Sequence, residues 1–197
     1  MRGEEICAYR WPHVGEGGYG VGVANATVYG HDVVRDRDLG GPMTVVRETL
    51  LRSPLFPDPE TDQGRHSFLT VLAPGADIPR TVSLGYDVTF PSRQVAGGSD
   101  VEPLVQVDGD GVLVETIKLA NDGTGDIVVR LYESFGCRSV ANVRGNFAYS
   151  AIIRTDLLEN PEVDQPQSAT GGFSPTLRPF ELVTFRFVRS DTGDSAS

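Results

Sequence analysis

Residues 104–134 read LVQVDGDGVLVETIKLANDGTGDIVVRLYES, in which three apolar runs are separated by two glycine-rich segments. The runs contain the Val, Ile and Leu residues expected of buried strands, at 104–107, 112–119 and 126–134. The intervening DGDG and NDGTG segments supply the Gly, Asn and Asp residues that tolerate the positive φ of hairpin turns. This stretch therefore predicts consecutive antiparallel strands joined by sharp turns.

The same pattern continues on both sides of this stretch. Short apolar runs occur at 6–11, 19–27, 44–51, 66–72, 139–144, 147–155 and 181–188. The 23 glycines and 13 prolines are scattered between the runs, as expected for many turns. About ten short strands with little helix are typical of an antiparallel sandwich or a barrel. Of these two all-β folds, we predict the antiparallel β-sandwich.

Two segments are harder to assign. In 77–90, alternating apolar residues indicate a strand, whereas Asp77 followed by Pro79 resembles a helix N-cap with proline in the first turn. We favour a short helix in the first half of this segment. Residues 30–42 contain the charged run RDRD and are predicted to be a polar turn region.

Length and composition predict one globular domain over 1–188, followed by a small, polar, disordered tail over 189–197. The net charge of −10 disfavours nucleic-acid binding, because an acidic surface repels phosphates. No apolar run approaches the roughly 18 residues that cross a bilayer, and the first residues lack signal-peptide order. We therefore expect a soluble, cytoplasmic protein with no membrane contact. Cys7 and Cys137 are expected to be buried or half-buried free thiols.

Motifs of known chemistry are sparse. The three histidines show no metal-binding spacing. Asn121, Asp122 and Asp126 have oxygen atoms that could bind calcium, but they lack the EF-hand spacing and its closing Glu, so a hairpin is favoured over a calcium site. The loop carrying Asp58, Glu60 and Asp62 offers the paired carboxylates that glycoside hydrolysis requires. Because acidic loops are usually solvated, we favour that interpretation and assign neither catalytic nor metal-binding residues.

An ordered series of short motifs nevertheless resembles the C-terminal part of glycoside hydrolase family 38, the α-mannosidases, in their bacterial form. The resemblance extends from about residue 5 to residue 188. Its motifs are AYRW at 8–11, EGGYGV at 16–21, YGHD at 29–32, LLRSP at 50–54, DQGRHSF at 62–68, KLANDG at 118–123, VRLYE at 129–133, DLLE at 156–159 and LRPFELVT at 177–184. One departure is Thr89 before Phe90-Pro91, where many members have Asn before the proline.

The resemblance implies a β-sandwich of the galactose-mutarotase and hydrolase C-terminal type, packed in the full enzyme against an N-terminal catalytic domain. Family members are retaining hydrolases of terminal α-mannosides, and they use an Asp nucleophile and a zinc ion held by His and Asp in that N-terminal part. His31 and Asp32 belong to the C-terminal YGHD motif, so this domain is expected to be inactive alone, without a cofactor of its own. The implied partners are the catalytic domain and an α-mannoside, and a homo-oligomer is left open.

Seven polar or aromatic residues in irregular segments form our hypothesis for the substrate rim or interdomain face: Tyr29, His31, Asp32, Arg52, Asp58, Asp62 and His66. The structural alternative is that Asp62 caps a turn, Gly64 takes a positive φ and His66 bonds a nearby carbonyl.

Two other classes of function remain open. An independent carbohydrate-binding module would need exposed aromatics, for which the candidates are Trp11, Tyr19, Tyr29 and Phe56. A purely structural interaction domain would instead expose an apolar docking surface.

Overall fold

The computed structural model describes residues 5–36, 41–162, 167–168 and 172–190. Its contacts divide the chain into two compact units, residues 1–96 and 97–197, and each is treated separately below. The single domain over 1–188 stays a prediction. Most of the expected tail, 191–197, lies outside the described residues, whereas Arg189 ends the last strand.

The first unit contains two three-stranded antiparallel sheets and a helix within its described residues. The elements are β1 (Glu5–Cys7), β2 (His13–Glu16), β3 (Tyr19–Asn25), β4 (Gly30–Asp36), β5 (Met43–Glu48), β6 (Thr70–Pro74) and α1 (Ile78–Thr89). One sheet has the order β1-β4-β5, and the other has the order β2-β3-β6. The glycines at 17–18 form the turn of the β2–β3 hairpin.

The polar segment at 30–42 is not the turn region that the sequence indicated, because its first seven residues form β4. β4 pairs with β5 over residues 31–36 and with β1 over residues 30–32, and these ladders hold it as a strand despite its polar side chains. Asp32 is also paired across strands, since Arg47 in β5 donates to it over 2.7 Å. Residues 37–38 of the charged run lie outside the described residues.

α1 begins as the sequence predicted. Asp77 is the N-cap and accepts a hydrogen bond from the backbone N–H of Arg80 at 2.8 Å, and Pro79 lies in the first turn. The helix continues to Thr89, so the alternative strand in the second half was wrong. The reason is tertiary: the helix buries Thr81, Val82 and Gly85 on one face, which overrides the alternating pattern.

The second unit is an antiparallel sandwich, which confirms the all-β class. Its strands are β7 (Val105–Asp108), β8 (Val112–Leu119), β9 (Ile127–Glu133), β10 (Ser139–Val140), β11 (Asn142–Gly145), β12 (Tyr149–Thr155), β13 (Gln167–Ser168), β14 (Thr176–Leu177) and β15 (Leu182–Arg189). Five of them form a sheet with the order β13-β12-β15-β9-β8, and the others form the two-stranded sheets β11-β7 and β10-β14. The strands predicted within 104–134 thus appear with nearly the predicted bounds, and β8 and β9 form the predicted hairpin. The hairpin across the DGDG segment does not form, because β7 pairs with β11 instead of β8.

A hydrophobic core fills this sandwich. The five-stranded sheet contributes buried Val129, Leu131, Ile152, Phe185 and Phe187, among others. The short strands and loops opposite contribute Val105, Ala141, Val143, Phe173 and Leu177. The Phe173 and Phe185 rings meet edge to face with centroids 4.6 Å apart, a favoured aromatic geometry.

Candidate functional site

The first unit contains a cleft of about 620 Å³. Its walls come from β1, from the segment that enters β4, and from the loop that follows β5. The lining residues include three of the seven predicted site residues, Tyr29, Arg52 and Asp62. Its volume lies within the roughly 300–1,000 Å³ typical of small-molecule sites.

Glu5 supplies a carboxylate to this cleft. It accepts hydrogen bonds from the Thr49 hydroxyl at 2.9 Å and from the Arg52 guanidinium at 3.3 Å. A Cβ atom added at Gly30 would meet the Glu5 carboxylate, so a larger residue there would displace the Glu5 side chain. No local sequence pattern marks Glu5, because its partners lie more than forty residues away and only the β1–β4 pairing brings them together.

Tyr29 contributes an aromatic ring to the same cleft. Its side chain is 52% exposed, and its ring stacks on Tyr9 with centroids 5.4 Å apart and planes at 3°. The buried Arg10 guanidinium packs over the Tyr9 ring at 4.3 Å and over the Tyr86 ring of α1 at 4.6 Å. The Tyr29 ring is therefore held by a stack that continues to the helix.

Arg52 and Asp62 reach the cleft from the loop between β5 and β6. Asp62 adopts a positive φ of 66°, and its carboxylate accepts the Ser53 backbone N–H at 2.9 Å. That contact ties the two ends of the proline-rich segment together. Gly64 has a φ of 126°, and His66 bonds through Nε2 to the Asp62 carbonyl oxygen at 2.9 Å. These are the contacts of the structural alternative given above for this loop.

The expected strand at 66–72 is only partly correct, because β6 begins at Thr70. The bond from His66 to Asp62 holds the preceding residues in the loop. Asp58 also acts within the loop, since its carboxylate accepts the Glu60 backbone N–H at 2.9 Å. Neither His66 nor Asp58 lines the cleft.

His31 lies fully buried in β4 and does not line the cleft. Its Nε2 is 3.3 Å from a carboxylate oxygen of Glu48 and 3.2 Å from the side-chain nitrogen of Asn25. Asn25 also donates to Glu48 at 3.1 Å and accepts the Val28 backbone N–H at 2.8 Å. His31 thus belongs to a polar network inside the unit, and Asp32 is paired with Arg47.

The described residues contain no group of three or more His, Cys, Asp or Glu side chains placed to hold a metal ion. The remaining histidine, His13, bonds through Nε2 to the Ala76 carbonyl oxygen at 2.9 Å. Asp122 in the NDGTG turn and Asp126 directly after it both pair with Arg186, at 2.7 and 2.6 Å. Hydrogen bonds from Thr124 and Arg186 lower the pKa of Asp122 to about 2. These contacts fit the hairpin interpretation.

The exposure of the two cysteines differs from the expectation, and the exposure of the aromatic residues bears on possible carbohydrate binding. Cys7 and Cys137 are free thiols, but both are exposed rather than buried. The candidate sugar-binding aromatics Tyr19, Tyr29 and Phe56 are 59%, 52% and 87% exposed, whereas Trp11 is partly buried. Exposed aromatics are thus present, as a carbohydrate-binding surface requires. No helix among the described residues is long and apolar enough to cross a membrane.

Comparison with known proteins gives a consistent assignment. Residues 111–185 match the family profile for the glycosyl hydrolases family 38 C-terminal beta sandwich domain. Alpha-mannosidase G of Dictyostelium discoideum is 30% identical over 93% of this chain and 17% of its own length. Alpha-mannosidase of Saccharomyces cerevisiae is 26% identical over 92% of the chain and 18% of its own length.

A solved structure shares the fold. A protein in glycosyl hydrolase family 38 from Enterococcus faecalis superposes with a TM-score of 0.58 at 19% identity, over 94% of this chain and 23% of that one. The chain therefore spans about a sixth to a quarter of the length of the relatives that it matches.

Proposed function

We propose that the chain is a non-catalytic part of an α-mannosidase, because residues 111–185 match the profile of the glycosyl hydrolases family 38 C-terminal beta sandwich domain. In the complete enzyme it would pack against a catalytic region and complete the fold. The reaction would be retaining hydrolysis of terminal α-mannosides. The observation that carries this proposal is the likeness over 93% of the chain to a mannosidase of which it spans only 17%.

The zinc ion that the family resemblance implies does not fit the described residues of this chain, which bring no metal-binding group together. His31 and His13 are each engaged by neighbours within the first unit, and His66 holds its own loop. We therefore assign zinc and the nucleophile to the catalytic region, and no catalytic step to this chain.

The role proposed for the first unit is to shape the entrance to the active site. Tyr29, Arg52 and Asp62 line the cleft and would form the rim. The other four residues of the hypothesis would support it from behind: His31 and Asp32 within the β1-β4-β5 sheet, and Asp58 and His66 within the loop. The proposal thus divides the seven residues into a contacting set and a supporting set.

A cytoplasmic location is also part of the proposal. Its support is that both cysteines are exposed free thiols, which persist more readily in reducing compartments than in oxidising ones.

A replacement experiment tests the proposal. In the Dictyostelium relative, the matched segment would be deleted or exchanged for this chain, and hydrolysis of an aryl α-mannoside would be measured for each protein. We expect deletion to abolish hydrolysis and the exchange to restore it, because the chain completes the enzyme. A deleted protein that keeps full activity would contradict the proposed role, as would a folded exchanged protein without activity.

A further inference from the structure

The cleft of the first unit combines an orientated ion pair with an exposed ring. Glu5 and Arg52 lie side by side at 3.3 Å, and the Thr49 hydroxyl fixes the carboxylate from the other side at 2.9 Å. The pair joins two elements, β1 and the loop after β5, that are distant in sequence. Such a pair presents hydrogen-bond acceptors and donors next to each other in a fixed geometry.

The charges of the cleft select against anions. Its charged lining residues are the carboxylates of Glu5 and Asp62 and the guanidinium of Arg52. With two negative groups against one positive group, a phosphate or carboxylate ligand would meet net repulsion. A neutral ligand with several hydroxyls avoids that repulsion, because each hydroxyl both donates to a carboxylate and accepts from a guanidinium.

The apolar part of the cleft suits a ring with one hydrophobic face. Tyr29 is half exposed there, and Leu50, Leu51 and Pro54 line the same surface. Because Tyr9 covers one face of the Tyr29 ring, the ring has a fixed orientation and loses little entropy on binding. A pyranose has an apolar C–H face and adjacent hydroxyls, and so matches both halves of the cleft.

We propose that this cleft is a subsite for a neutral hexopyranoside, with Glu5 and Arg52 bonding adjacent hydroxyls and Tyr29 packing on the ring. The inference rests on the proposed function, since it names the ligand class of the entrance. It goes further in that the subsite is built wholly from residues of this chain. The chain therefore binds a sugar without the catalytic region.

Nuclear magnetic resonance titration of the isotope-labelled 197-residue chain tests this inference. The probe is methyl α-D-mannopyranoside, and mannose 6-phosphate is the charged comparison. We expect saturable shifts confined to residues around Glu5, Tyr29 and Thr49–Arg52, with weaker binding of the phosphate. Shifts that stay linear with sugar concentration, or that centre on the second unit, would overturn the proposal.

Variants separate the subsite from general effects on folding. Arg52→Ala is expected to weaken binding by about tenfold, the effect of losing one charge-assisted hydrogen bond. Tyr29→Ala should lose most of the binding, and Tyr29→Phe should retain it because the ring face is kept. Arg144→Ala is the matched control: Arg144 is also an exposed arginine paired with a carboxylate, that of Asp108, but it lies in the second unit and does not line the cleft.

The outcomes distinguish this inference from the proposed function. If Arg52→Ala and Arg144→Ala weaken binding equally while both keep a native spectrum, the subsite is refuted. If the isolated chain binds no sugar but restores hydrolysis in the exchanged enzyme, only this inference falls. If it binds the sugar but fails to restore hydrolysis, only the proposed function falls.

Discussion

Glu133 is fully buried in the second unit, where its carboxylate closes a loop. It accepts the backbone N–H groups of Phe135, Gly136 and Phe180, each at 2.9 Å. Burial alone would raise the pKa of this carboxyl, but the backbone donors outweigh burial and hold the pKa below its usual range. The ionised carboxylate therefore contributes to the stability of the folded state.

The Glu133→Gln substitution should lower the free energy of unfolding by about 2–3 kcal/mol, because an amide N–H would face backbone donors. The pH dependence follows from the lowered pKa. The stabilisation is fully present above the unfolded-state pKa of about 4.3 and is lost as pH falls through the lower pKa of the folded state. Urea denaturation at pH 7 and at lower pH measures both effects.

The exposed Glu102 provides the control, because Glu102→Gln should leave the stability at pH 7 unchanged. A Glu133→Gln protein as stable as the parent at pH 7 would show that the carboxylate is not the loop's anchor.

At the scale of elements, α1 packs against β3 through a glycine. A Cβ atom at Gly22 would lie within 3.1 Å of several Thr81 side-chain atoms, and Thr81 is fully buried. Gly22→Ala should therefore displace the helix and lower the free energy of unfolding by about 1–3 kcal/mol. Thermal or urea unfolding of the purified chain measures this loss.

Gly17 is the matched control for that substitution, since it lies in the β2–β3 turn and a Cβ atom added there would have no neighbouring atom within 4 Å. Gly17→Ala should stay within about 0.5 kcal/mol of the parent protein. Equal effects of the two substitutions would mean that the contact between helix and strand does not set the stability.

Some strands and site residues could be predicted from the sequence, and others could not. β8 and β9 were predicted well because their apolar runs are bounded by turn residues and the two strands pair with each other across a short turn. The bounds of β7 were also predicted, but its partner β11 is distant in sequence and was not. β4 was not predicted, because its polar sequence is held in a strand by pairing with β1 and β5 and by the Asp32–Arg47 ion pair. Tyr29, Arg52 and Asp62 were found through family motifs, whereas Glu5 depends on a long-range pairing that no local pattern encodes.

At the scale of the whole molecule, the two units are joined by a segment without helix or strand. Every residue from 91 to 103 is exposed, and Arg93 is the one trypsin site within it. The loop that carries Arg52 and Arg65 is also exposed, but hydrogen bonds to Asp62 brace it. Local order of this kind protects against proteolysis.

Limited trypsin digestion should therefore cut first after Arg93, giving fragments 1–93 and 94–197. Mass spectrometry of the early products identifies the site, and an Arg93→Gln protein should lose this first cut while later cuts remain. A first cut within either unit would contradict the assignment of 91–103 as the exposed connection.

The central proposal is that this chain is part of an α-mannosidase and does not itself carry the chemistry. The most direct measurement is hydrolysis of an aryl α-mannoside by the isolated chain, with and without added zinc, beside an intact family 38 relative. We predict hydrolysis by the relative and none by the chain under either condition. Zinc-dependent hydrolysis by the isolated chain would contradict the claim and place catalytic groups among its own histidines and carboxylates.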